Sequence, residues 1–535
     1  MTRKIDSILI VGGGSSGWMT AAAIAKQLPD VKLTLIESPR VPTIGVGEST
    51  IGHINQYMGY IDLKDEDWMP HCSATYKTSI KFIDFREPPG EQPHTFHYPF
   101  GLFDMTDKPR GLMDWFLIKA NNLDIDPSNF AEFFHDSVLM TDAVKMTKND
   151  DSVLRGFRHS VDTAYHMDAA AFGAYLRDHI CLPAGATHIL DDVTGYEKSE
   201  DGDISVIHTA QSGDLVADLY IDCTGFKSLL LEQAMGVPFI SFGDTLFNDR
   251  AIATVIPYID QEREMECVTS CTAIECGWVW NIPLWHRIGT GYVYSSRFAT
   301  EEEAEAQLRK HLKSNRMICL DADRADAAEF RHIKIRHGVH ARAWERNVVG
   351  IGLANGFIEP LESTGLMLTH EAIIKMVNVL KMRAGKVTKF DVDLFNHAFR
   401  EQIMGFKDFI SQHYALTMRD DTPYWRAVTE HSFSQPTIDF EPVLYNTYPD
   451  LAHRLHRSRS FHAEMSGIVY IAAGMGYNPI DVKHSKFLDK QYFEVPGYRE
   501  EVLKKWQEHR DEVLKKIADM PSHYQYLKDN IHTVR

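Results

Sequence analysis

Gly12, Gly14 and Gly17 follow the apolar run Ser7–Val11 and open a helical pattern over Trp18–Gln27, after which Val31–Ile36 reads as a second strand ending in Glu37. That order suits a dinucleotide. The first glycine permits a tight turn, the second lets the backbone approach a pyrophosphate, and the third lets helix and strand pack closely. Ser15 and Ser16 lie at the mouth of the helix, whose unpaired N–H groups and partial positive charge favour phosphate. Glu37, 20 residues beyond Gly17, stands where a carboxylate accepts from ribose hydroxyls.

FAD and NAD share this fingerprint, and the rest of the chain favours FAD. Gly45-Val46-Gly47-Glu48-Ser49-Thr50 is a second glycine-bearing loop close behind the first unit. Asp218–Gly225 resembles the strand-then-Thr-Gly segment of FAD-dependent monooxygenases, and Asn347–Gly365 resembles their late flavin-contacting strand and helix. Further on, Gly277-Trp278-Val279-Trp280-Asn281-Ile282-Pro283 puts Trp278 and Trp280 on one face of a strand by its period of two. Two indoles on a core face would be the ordinary explanation. The W-x-W-x-I-P pattern beside the glycine motif, however, resembles the flavin-dependent halogenases, the group that includes the tryptophan halogenases.

That resemblance implies an FAD-binding Rossmann-type α/β core, like that of flavin monooxygenases, with a mainly helical C-terminal part. It places the essential lysine at Lys81, in Ser79-Ile80-Lys81-Phe82-Ile83-Asp84-Phe85, where a strand would put the ammonium on a face with Ile83 and Phe85. Such a lysine either reaches water or needs a buried partner. The partner implied is Glu362, the active-site carboxylate of the Glu359-Pro360-Leu361-Glu362-Ser363-Thr364-Gly365 stretch, with the halide at Thr364 and Gly365. A small anion suits a helix start, and Gly365 has no side chain in the way. Ser363 and Thr364 would equally serve as helix caps. Flavin contacts carried over from the family fall on Gly14–Gly17, Glu37, Val193, Leu353 and Leu366, while Trp278 and Trp280 would keep organic substrate away from the flavin. In His94–Phe100, with Phe103 beyond it, Tyr98 and Phe100 fall where the family sandwiches its aromatic substrate.

The activity implied uses reduced FAD, O2 and bromide or chloride to make hypohalous acid, which halogenates a ring held against Lys81 while Glu362 accepts the ring proton. Tryptophan halogenases carry a tyrosine pair where this chain has Ile468-Val469, so the expected substrate is indole or a related electron-rich aromatic without the amino-acid group. No separate NAD(P)H-binding domain is recognisable, which implies a separate NAD(P)H-dependent flavin reductase as partner. Two alternatives keep the same core: an FAD-dependent aromatic hydroxylase, and a non-catalytic FAD-binding redox module.

The elements that must position these residues are a βαβ unit at the N-terminus, short β-rich runs such as Leu215–Thr224 and Trp278–Pro283, and a helix from Gly365 to about Met382. Helical periodicity dominates from about Asp391, which suggests a core over 1–390 and a helical part over 391–535 completing the substrate pocket. The helical tail after Gly476 leaves a monomer and a homodimer both open. The 535-residue chain has a net charge of −18 with 44% hydrophobic residues, a globular composition that disfavours disorder. Its acidity repels nucleic-acid phosphates and anionic lipid, and no basic patch offsets it. No apolar run reaches the roughly 18 residues of a spanning helix. Seven cysteines, mostly scattered, point to a reducing, cytoplasmic setting. Cys267, Cys271 and Cys276 lack zinc-site spacing, so no metal is expected.

Overall fold

Ser7–Val11, Lys32–Glu37 and Leu219–Asp222 are dominated by apolar residues, as strands covered on both faces are, and they pair side by side in parallel. The computed structural model describes residues 3–41, 47–101, 125–126, 128–148, 154, 157–314, 322–431, 465–476 and 497–533. Gly45, Val46 and Phe103 lie outside these, as do the side chains of Ile468 and Val469. By its contacts the chain divides into two compact units. The first comprises Met1–Ala74, Tyr165–Gly243 and Arg336–Met404, the second Thr75–Ala164, Asp244–Ile335 and Gly405–Arg535.

The first unit is built on a six-stranded sheet in the order Trp344–Glu345, Val348–Gly350, Leu219–Asp222, Ser7–Val11, Lys32–Glu37, Thr187–Leu190, parallel except at its Trp344–Glu345 edge. The helix Ser15–Gln27 packs against Gly365–Met382. Ala21, Ala22 and Ala23 on the first of these helices are fully buried, small enough for close approach. Asp222, at the end of its strand, accepts from the backbone N–H groups of Thr224, Leu230 and Leu231 and from the Thr224 hydroxyl. One buried carboxylate thus fixes the loop that follows.

The second unit holds a seven-stranded sheet in the order Arg331–Lys334, Arg250–Ile256, Ile288–Tyr294, Gly277–Pro283, Val268–Ile274, Ser79–Ile83, Thr95–Pro99. All neighbours are antiparallel except Val268–Ile274 with Ser79–Ile83. Register lines up Thr254, Thr290, Asn281, Ser270, Lys81 and His97 across six strands, and residues in register share a face. Among the described residues after 389, helices span Lys389–Ala415, Pro423–His431, Met465–Gly474, Tyr498–Ala518 and His523–Asn530. Met465–Gly474 lies on the Thr95–Pro99 strand because glycines face the rings. A Cβ on Gly474 would fall 2.2 Å from Phe96, and one on Gly467 2.9 Å from the Tyr98 hydroxyl. No helix among the described residues is long and apolar enough to cross a membrane.

Candidate active site

The glycine loop of the first unit is packed where the sequence expects packing and open where it expects a ligand. Gly12 has φ +110°, and a Cβ there would meet the Cys223 carbonyl oxygen at 2.3 Å; one on Gly17 would lie 1.9 Å from the Gly12 oxygen. Around the corresponding position of Gly14 there is no atom within 4 Å. The helix begins at Ser15, and Gly14 just before it has no side chain to cap it, so the N–H groups of the first turn are left for a ligand at that opening. Two later segments return to the loop: Cys223 beside Gly12, and Gly352, whose Cβ would stand 2.8 Å from that of Ser16. Gly352 opens the turn carrying half-buried Leu353, while Val193 packs on the sheet's apolar core and Leu366 is buried at the start of Gly365–Met382. The glycine loop, open at Gly14, and the helix start beside it fit a dinucleotide such as FAD. The Glu37 carboxylate crosses Gly13, and its Oε1 meets His188 Nε2 at 2.7 Å. His188 was not foreseen, because it comes from a strand 151 residues away.

Glu362 is buried in the short turn Pro360–Glu362, and Ser363 turns the chain with φ +56° into the helix that starts at Gly365. Neither hydroxyl caps that helix. Ser363 Oγ donates to Ser49 Oγ at 3.1 Å, and Thr364 makes no side-chain cap bond. The Thr364 Oγ1 is buried and meets no partner among the described residues, and the space where a Gly365 Cβ would stand is open to 4 Å. A hydroxyl donor beside unpaired first-turn N–H groups is what a small anion requires.

In the second unit, Lys81 lies mid-strand as expected, yet it is neither solitary nor fully buried. Its Nζ is 3.5 Å from Asp142 Oδ1 with a fifth of the side chain exposed. Burial would lower its pKa, but buried Glu266 and then Asp142 outweigh this and raise it. Burial raises the Glu266 carboxyl in turn, partly offset by Lys81 and by Ser270, whose Oγ donates to it at 3.2 Å. The acids that Lys81 meets within its unit are thus Asp142 and Glu266, whereas the expected partner Glu362 belongs to the first unit. Lys77, passed over in the sequence, is the fully buried lysine of this stretch, with Nζ 5.2 Å from the centroid of the Phe100 ring. That is cation–π distance. The strand breaks at Thr78, between Thr75–Lys77 and Ser79–Ile83, so the alternation that groups Lys81 with His97 does not carry through to Lys77.

Tyr98 and Phe100 are buried and near one another, with rings 6.4 Å apart in a T-shaped pair. Tyr98 pairs in register with Ile80, which sets it on the face opposite Lys81, stacked on Tyr470 at 5.8 Å. Phe100 lies just past the strand end, its N–H donating to the Thr78 carbonyl. Lys77 rather than Lys81 therefore accompanies the expected aromatic wall. Trp278 and Trp280 do share a face, 6.4 Å apart, along with Phe82 and Phe96. Trp280 extends over Gly291, where a Cβ would fall 2.3 Å from the indole.

The family model described as tryptophan halogenase matches residues 7–489. Tryptophan 6-halogenase ThaL of Streptomyces albogriseolus is 36% identical over 442 residues, covering 80% of either chain. Tryptophan 7-halogenase RebH of Lentzea aerocolonigenes is 34% identical over 441 residues, again 80% of either chain. Among solved structures, apo VirX1 superposes with a TM-score of 0.88 at 43% identity, covering 99% of this chain and 100% of that one.

Proposed function

We propose that this chain, which belongs to the tryptophan halogenase family, halogenates an electron-rich aromatic ring such as indole, using reduced FAD, O2 and bromide or chloride. The observation that carries the reading is the buried Thr364 hydroxyl, which has no partner among the described residues, beside the open start of the Gly365–Met382 helix. Reduced FAD, when bound, supplies with O2 the oxidising equivalents that turn halide into hypohalous acid. Ser15, Ser16 and the first-turn N–H groups hold its pyrophosphate, and Glu37 accepts from its ribose. Val193, Leu353 and Leu366 give it apolar contacts. Thr364 Oγ1 and the Gly365 N–H hold the halide. Trp278 and Trp280 form the wall that keeps substrate from the cofactor.

We assign to Lys77 the role the family resemblance gave Lys81. Its ammonium, fully buried against Phe100, holds the electrophile by hydrogen bond or as a haloamine beside the ring that Tyr98 and Phe100 orient. Glu362 takes up the proton lost as the ring regains aromaticity. The reduced flavin comes from a separate NAD(P)H-dependent reductase in the cytoplasm, a setting in keeping with the six described cysteines, all free thiols.

Incubation with FAD, a flavin reductase, NADH, bromide or chloride, and either indole or tryptophan, followed by mass spectrometry, tests the reading. Halogenated product supports it; hydroxylated product would instead favour the aromatic hydroxylase, and no product the redox module. Lys77→Ala should cut turnover by at least about 100-fold while FAD still binds, and Lys81→Ala should leave product forming. The reverse pattern would return the role to Lys81.

A further inference from the structure

A chain of hydrogen bonds beneath the Tyr98–Phe100 segment takes no part in the reaction above. His97 is 5% exposed. Its Nε2 lies 3.0 Å from Asp142 Oδ1 and its Nδ1 3.0 Å from Ser79 Oγ. The same Ser79 Oγ is 3.0 Å from the Tyr98 carbonyl and 3.1 Å from that of Ile80. Asp142 is ionised: burial alone would raise its carboxyl, but His97 and Lys81 overcome this and hold it well below the usual carboxylate range. A carboxylate only accepts, so Nε2 must carry a proton.

Ser79 has a single hydroxyl proton to give. With Nδ1 bare, the hydroxyl donates to the imidazole, and the Tyr98 carbonyl loses that donor. Once Nδ1 takes a proton from water, it donates to Ser79 Oγ, which turns its own proton to Tyr98. Among the described residues, Lys81, Glu266 held by Ser270, and Glu132 paired with Arg510 also act electrostatically around the imidazole besides Asp142.

We propose that His97 and Asp142 are positioning residues for the aromatic substrate: the imidazole, held by Asp142 through Nε2, orders the Ser79 hydroxyl beside the Tyr98 carbonyl and so steadies the Tyr98–Phe100 wall. This rests on the proposed function, in which that wall orients the ring. The KM for indole should then rise when this hydrogen-bond chain is broken at His97. The rise should be about two- to tenfold, the factor one neutral hydrogen bond is worth. The kcat should stay level.

The test is the indole KM and kcat of the wild type, Asp142→Asn and His97→Gln, with hypohalous acid formation followed separately by a β-diketone halogen trap in the absence of indole. His97→Gln should show this rise in full and Asp142→Asn a smaller one, and trap halogenation should stay at wild-type rate in both. A wild-type KM in His97→Gln, or KM and trap halogenation deteriorating together with thermal stability, overturns the proposal. A wild type that never halogenates the trap would instead sink the halogenase reading. Histidine 15N shifts settle the hydrogen-bond chain independently of activity, with His97 assigned by its loss in His97→Gln. A proton on Nε2, facing Asp142, is the expected result in the wild type; a wild-type ring protonated at Nδ1 alone refutes it.

Discussion

A buried hydroxyl with nothing to bond costs about 1–3 kcal/mol, and among the described residues that of Thr364 meets no partner. The cost is intelligible if the hydroxyl is reserved for an anion, and the isosteric Thr364→Val variant separates the two sides of that trade. With no ligand bound, the variant should melt at the wild-type temperature or slightly above it, because the orphaned polar atom is gone. Its halide KM should rise about 10- to 100-fold, since a hydrogen bond to a charged group contributes roughly 1.5–3 kcal/mol. Thermal denaturation and steady-state kinetics with varied bromide or chloride measure both. An unchanged halide KM would remove Thr364 from the anion site.

At the scale of elements, what the sequence revealed depended on how far apart the cooperating residues stand. The Gly12–Glu37 unit was readable because strand, turn, helix and second strand are continuous, so each glycine's role follows from its neighbours. The helix starting at Gly365 was readable for the same reason. The two lysines were harder to tell apart. Lys77 and Lys81 both look like strand lysines, and the break at Thr78 that separates their surroundings has no signature in Tyr76-Lys77-Thr78-Ser79. Asp142 and Glu266 reach Lys81 from segments with no sequence link to it, as His188 reaches Glu37. The paired tryptophans were legible by alternation, but the notch that admits one of them was not. Trp280 stands opposite Gly291 across the Gly277–Pro283 and Ile288–Tyr294 strands. Gly291→Ala would put a methyl 2.3 Å from both the indole and the Ile252 carbonyl, with the backbone barring retreat. Overpacking of this kind costs about 1–3 kcal/mol, so the variant should melt several degrees lower with altered tryptophan fluorescence. Wild-type melting and emission together would show that the sheet yields more easily than its register suggests.

For the whole molecule, a net charge of −18 bears on how an anionic cofactor arrives. FAD carries a negatively charged pyrophosphate, so the long-range field opposes its approach, while the uncapped helix start at Gly14 attracts it only within the last few ångströms. Salt screens the first effect far more than the second: the Debye length falls from about 30 Å at 0.01 M to about 8 Å at 0.15 M. Association of FAD, followed by stopped-flow flavin fluorescence, should therefore quicken by at least about twofold over that range, whereas uncharged riboflavin should show little dependence. Dissociation should change less, because once bound the phosphates sit against N–H groups that bulk ions do not reach. Slower FAD association at higher salt would mean that local positive potential at the cofactor's entrance outweighs the acidic surface, and that flavin is drawn in from solution against the sign of the protein's overall charge.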